Sequence, residues 1–135
     1  MQRIRILLVD DSLSFLEAAA TLIADWPGIE LIGCASSGSE ALERVPELRP
    51  DLVLLNLLMP GIDGLETLRR LKGGRDAPVV MVMTLNDNSA TRKVVFALGA
   101  VGFIGKTEFH TQALPQIRSL FGRSHGCAND DAVIA

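Results

Sequence analysis

The chain has 135 residues and a formal net charge of -3, from 13 Lys and Arg against 16 Asp and Glu. That length fits one domain able to bury about two-thirds of its unfolded surface, and the scattered basic residues exclude the charged footprint of a nucleic-acid binder. Two cysteines, Cys34 and Cys127, make neither a disulfide framework nor a metal cluster; the start MQRIRILLVDD has no signal-peptide h-region, and no apolar run approaches the roughly 20 residues of a membrane span, so the reading is a cytoplasmic protein in a reducing compartment.

Five apolar runs alternate with segments of helical period. Ile4 to Val9 is the first strand, and a helix follows from about Ser12 to Asp25, with Leu16, Ala19, Ala20 and Ile23 on one face. Pro27 and Gly28 end it. Ile29 to Ala35 reads as the second strand, and Ser36, Ser37 and Gly38 turn the chain into a helix that carries Ala41, Leu42 and Val45 inward. Pro50 precedes the third strand, Leu52 to Leu57, after which Pro60, Gly61 and Gly64 mark a loop. Leu65, Leu68 and Leu71 form the stripe of a third helix, closed by Gly73 and Gly74.

Val79 to Met83 is an unbroken apolar strand ending at Thr84, and Asn88 to Leu98 a fourth helix stopped by Gly99. Val101 to Ile104 is the fifth strand, ending at Lys106. The last helix, about Thr111 to Phe121, contains Pro115, which predicts an irregular start. Residues 122–135 are small and polar, without sustained period, and read as a flexible tail or linker stub behind a domain of residues 1–121.

Unbroken apolar strands between amphipathic helices predict an α/β fold: a doubly wound parallel sheet with helices on both faces, whose ligands bind beyond the carboxyl ends of the strands. The polar residues at those ends are Asp10 and Asp11, Asn56, Thr84 and Lys106. Paired carboxylates suit a hard divalent cation such as magnesium, and a lysine there suits an anion. Each also has a plainer reading: Asp10, Asp11 and Thr84 as helix caps, Asn56 as a turn former, Lys106 as a solvated lysine.

The motifs ILLVDDS, PDLVLLNLLMPGIDGLE, VVMVMT and ALGAVGFIGK, in that order from about Ile4 to Phe121, resemble those of the receiver domain of two-component response regulators, the CheY-like family. The resemblance implies a flavodoxin-like sheet of strand order 2-1-3-4-5. It implies that Asp11 binds Mg2+ directly, Asp10 through water, and Leu58 through its backbone carbonyl. It places Asn56 at the phosphoacceptor position, makes Thr84 and Lys106 the groups that stabilise a phosphoryl group, and makes Phe103 the switch aromatic. A sensor histidine kinase or phosphotransfer protein is the implied partner, and a homodimer through the helix 4, strand 5 and helix 5 face is a second expectation.

The family's acceptor is an aspartate, so this chain departs from it at the nucleophile. An amide oxygen is a poor nucleophile, which closes the ordinary phosphorylation route and, with one anionic ligand fewer, predicts weak magnesium binding. A phospho-null laboratory variant and a natural pseudo-receiver both fit Asn56. Leu85, where similar receivers carry a small residue, is a second departure. Three rival readings stand beside this one: the N-terminal receiver half of a DNA-binding regulator, a phosphatase and a flavin-binding protein. The phosphatase motif wants an acid where Ser12 stands, the flavin reading lacks a glycine-rich loop, and the expectation is a protein that is not an enzyme.

Overall fold

The computed structural model describes residues 3–59 and 61–125. Pro60 and residues 126–135, Cys127 among them, lie outside the described residues; of the tail predicted over residues 122–135, residues 122–125 belong instead to the last helix. Five strands, β1 (Ile4–Val9), β2 (Ile29–Ala35), β3 (Leu52–Asn56), β4 (Val79–Thr84) and β5 (Gly102–Gly105), alternate with α1 (Leu13–Ala24), α2 (Gly38–Leu48), α3 (Gly64–Gly73), α4 (Ser89–Ala97) and α5 (Phe109–His125). All neighbouring strands are parallel, in the order β2-β1-β3-β4-β5. The predicted doubly wound sheet and its strand order are therefore the observed ones.

Strands buried on both faces need no polar alternation, and β3 is buried at every position. On one face Leu7, Val53, Leu55, Val80 and Val82 pack with Leu68, Leu71 and Val95 of α3 and α4, with Leu42 and Val45 of α2 against them. On the other, Ile6, Leu8, Leu54, Met81 and Ile104 meet Leu16, Ala19 and Ile23 of α1 and Ala113 and Ile117 of α5. Ala20, expected on the same stripe of α1, is only half-buried. No helix among the described residues is long and apolar enough to cross a membrane.

Several boundaries move from their sequence positions, β3 ending at Asn56 and not Leu57. β5 runs from Gly102, because Val101 is exposed and lies outside the pairing with β4. α5 begins at Phe109, two residues earlier than expected, behind a 3-10 turn at Lys106–Glu108, and continues past Phe121 to His125 with Pro115 inside it. This turn ends well before Pro115, which lies within a continuous helix, so the irregular start expected from Pro115 is not observed. On α3, Leu65 stays at the surface, and Thr67 takes an inward position instead, its hydroxyl donating to Asp63 O at 2.8 Å.

Among the described residues two other than glycine are left-handed, Arg49 with φ 50° and Asp76 with φ 47°. Arg49 is the C-cap of α2, and the Arg5 guanidinium satisfies the end of that helix by donating to Leu48 O at 2.8 Å and Arg49 O at 2.7 Å. Cys34 is a free, half-buried thiol, and burial pushes its pKa up, away from reactivity.

Candidate functional site

In a parallel sheet all carboxyl ends lie along one edge, so Asp10 after β1, Asn56 at the end of β3, Thr84 at the end of β4 and Lys106 after β5 are gathered there from positions 96 residues apart in sequence. The strand order reverses between β1 and β3, and Asp10 and Asn56 flank that switch point. Two backbone contacts fix the loop behind Asn56: Leu57 N donates to Met83 O at 3.0 Å, and Gly64 N to Leu57 O at 2.8 Å. Gly64 has to be glycine, because a Cβ there would fall 2.4 Å from Leu57 Cα.

Asn56 is buried, and its Nδ2 faces three oxygens: Leu58 O at 2.8 Å, Asp11 Oδ1 at 3.2 Å and Asp10 Oδ1 at 3.5 Å. The surroundings fix which way the amide points. With Oδ1 turned inward, four acceptors would crowd together without a proton between them. The three oxygens are the donors expected for magnesium, and as hard oxygen ligands they fit such a cation chemically. In position, the amide nitrogen takes the point on which they converge.

Asp10 is fully buried, and its Oδ1 also accepts from Ser12 N at 2.9 Å. Its Oδ2 lies 2.7 Å from Lys106 Nζ; the ammonium approaches obliquely, so the contact is an ion pair and not an aligned hydrogen bond. Lys106 is thus no solvated surface lysine. Its ammonium also sits 4.4 Å from the centre of the Phe15 ring, Phe15 meets Phe109 edge-on at 5.4 Å, and Phe109 stacks with Trp26 at 5.8 Å. An aromatic path therefore joins the pocket to the single tryptophan of the chain.

The capping readings fall to other residues: Ser12 caps α1 by accepting from Phe15 N, and Asn88 caps α4 by accepting from Thr91 N. The buried Thr84 hydroxyl instead accepts from Asn86 N at 3.0 Å. Phe103 is not in the acidic pocket. It is buried beside Val82, with the Arg92 guanidinium 4.8 Å from its ring centre, and Asp87 grips Arg92 at 2.7 and 2.9 Å. Leu85 is 68% exposed and covers nothing. Sequence reasoning missed Phe15 and the Asp87–Arg92 clamp; Phe15, three residues after a serine cap, was the available signal.

A parallel sheet with this order and an acidic pocket at its switch point defines a flavodoxin-like α/β protein. The chain belongs to the response regulator receiver domain family, whose model matches residues 6–117. It is 39% identical over 107 residues to a protein-glutamate methylesterase/protein-glutamine glutaminase of Geobacillus kaustophilus, a match covering 78% of this chain and 31% of the relative. A protein of the same description from a Nocardioides species is 35% identical, over 91% of this chain and 37% of its own length. The chain thus spans about a third of the curated relatives it matches.

Among solved structures, the response regulator domain of Thermotoga maritima CheB is similar with a TM-score of 0.82 and 26% identity, covering 90% of this chain and 98% of that one. A LuxR-family response regulator from an Aurantimonas strain gives 0.84 and 28%, covering 90% and 87%. This chain is therefore a receiver domain of a response regulator.

Proposed function

We propose that this receiver signals through protein contacts while its phosphoacceptor position, Asn56, stays unphosphorylated. The observation that carries the reading is the Asn56 carboxamide, whose nitrogen faces Asp10, Asp11 and the Leu58 carbonyl. An uncharged amide offers phosphorus no competent nucleophile, and its N–H groups donate to the oxygens of the acidic pocket from within. Thr84 and Lys106 remain where a phosphoryl group would be stabilised, but Lys106 is paired with Asp10. Acetyl phosphate with magnesium is expected to add no phosphoryl group at residue 56 by intact mass. A stoichiometric adduct mapped to Asn56 overturns the proposal.

Asp10, Asp11 and the Leu58 carbonyl would hold Mg2+ weakly, because the amide has to turn away first and the set has lost an anionic ligand. The Lys106, Phe15, Phe109 and Trp26 path makes tryptophan fluorescence a suitable readout. Magnesium is expected to saturate this signal only above about millimolar concentration; saturation far below that contradicts the competing role of the amide.

A sensor histidine kinase or phosphotransfer protein is the partner this reading implies. The output surface is the face of α4, β5 and α5, where Val94, Phe96 and Val101 are exposed and Phe103 lies beneath as the switch residue; a second copy of the chain is the other occupant of that face.

A second reading rests on length. Because the chain spans about a third of its curated relatives, it serves as the receiver part of a longer regulator, with a methylesterase/glutaminase effector as in those relatives in place of a DNA-binding one. Reading the gene beyond codon 135 tests this, and an immediate stop codon sinks it.

A further inference from the structure

We propose that the end of the sheet opposite Asn56 carries a second binding site, for a small organic anion with an aliphatic body. A cavity of about 530 Å3 lies there, between α2, α3 and the segments entering β3 and β4. That volume is typical of small-molecule sites. Its apolar lining is Leu42, Val45 and Leu71, which back onto the core, and Pro46, Pro50 and Pro78 complete the wall. No aromatic ring among the described residues lines it, so the geometry favours an aliphatic ligand over a stacked base.

Three arginines, Arg49, Arg70 and Arg75, stand around this apolar surface. Arg70 is already engaged by Glu66 at 2.7 Å. Arg49 and Arg75 have no ion-pair partner among the described residues. Asp76 offsets part of their charge, and the balance stays positive. A guanidinium presents a planar fork that matches a carboxylate or phosphate in two contacts.

The walls are also held in advance. Arg5 ties the carbonyls of Leu48 and Arg49, Lys72 donates to Pro78 O at 2.9 Å, and the prolines fix their own φ. The two left-handed residues other than glycine among the described residues, Arg49 and Asp76, line this cavity. Such conformations persist only where the surroundings over-determine them, and they cluster at ligand sites.

A small molecule fits better than a protein. A protein interface needs a broad patch with apolar anchors, and among the described residues none of the large exposed apolar side chains, Leu58, Leu65, Leu85 and Phe96 among them, lines the cavity. β3 and β4 are interior strands, which leaves no edge for an added strand.

The test compares three probes by amide NMR on the intact chain: octanoate below its micellar concentration, 1-octanol, and acetate. Octanoate is expected to give saturable shifts confined to residues 42–50 and 70–78, with the alcohol and acetate each at least about tenfold weaker, the loss that follows from removing one charge-assisted contact or the apolar body. The double variant Arg49→Gln/Arg75→Gln, which changes two exposed side chains, is expected to weaken octanoate to the level of the alcohol. Equal binding of alcohol and octanoate, shifts elsewhere, or an unchanged affinity in the variant overturns the proposal, and the probe comparison on the unaltered chain decides it whether or not the variant folds.

Discussion

Asn56→Asp is expected to gain one phosphoryl group, close to stoichiometric, on incubation with magnesium and acetyl phosphate, where the unaltered chain gains none. The substitution leaves side-chain shape almost unchanged but exchanges a hydrogen-bond donor for a charged nucleophile. The donors to Asp10, Asp11 and Leu58 disappear together, so the three oxygens and the new carboxylate are left for a cation to hold. Positioning and charge stabilisation supply most of phosphoryl-transfer catalysis, and Thr84 and Lys106 already stand at the same edge. Leu85 does not obstruct, since its side chain points to solvent. Without magnesium the variant is expected to be less stable than the unaltered chain, because three carboxylates then share one pocket. A folded variant that binds magnesium and takes up no phosphoryl group would place the defect outside residue 56.

Lys106→Met is expected to lower unfolding free energy by about 3 kcal/mol in urea titration, the lower part of the range for removing one partner of a buried ion pair. Asp10 is fully buried, and Lys106 is the only ion-pair partner of its Oδ2 among the described residues, so the variant leaves a buried charge unpaired. Methionine keeps most of the stem against Phe15, which confines the loss to the ammonium and its contact with the ring. The double variant Asp10→Asn/Lys106→Met is expected to recover much of the loss, because replacing both partners removes the stranded charge. If Lys106→Met costs less than about 1 kcal/mol, the pair behaves as a solvated one.

The sheet was legible because its information is local. Runs such as Leu52 to Leu55 and Val79 to Met83 declare strands buried on both faces, and a parallel arrangement then sends Asp10, Asn56, Thr84 and Lys106 to one edge whatever the loops do. What those residues touch was not legible. The Asp10–Lys106 pair joins residues 96 apart, and Arg5 reaches the end of α2 across 43 and 44 residues. Leu65 left the expected stripe, and Thr67 joined the buried face, because an apolar stripe specifies a face without saying where the first turn emerges from the loop. The second cavity had no motif at all, since its arginines and prolines come from two helix ends with no common spacing.

The bond from Leu57 N to Met83 O has a bearing on how the protein ages. Asparagine turns into aspartate spontaneously when the next residue's backbone nitrogen swings round and attacks the side-chain carbonyl, closing a five-membered imide. Here that nitrogen is committed to the neighbouring strand at 3.0 Å, it carries the bulky Leu57, and the amide beside it is buried at the end of an extended strand. Ring closure would require the sheet edge to open first. The folded chain therefore resists drifting into the acidic form during storage or a long cellular lifetime.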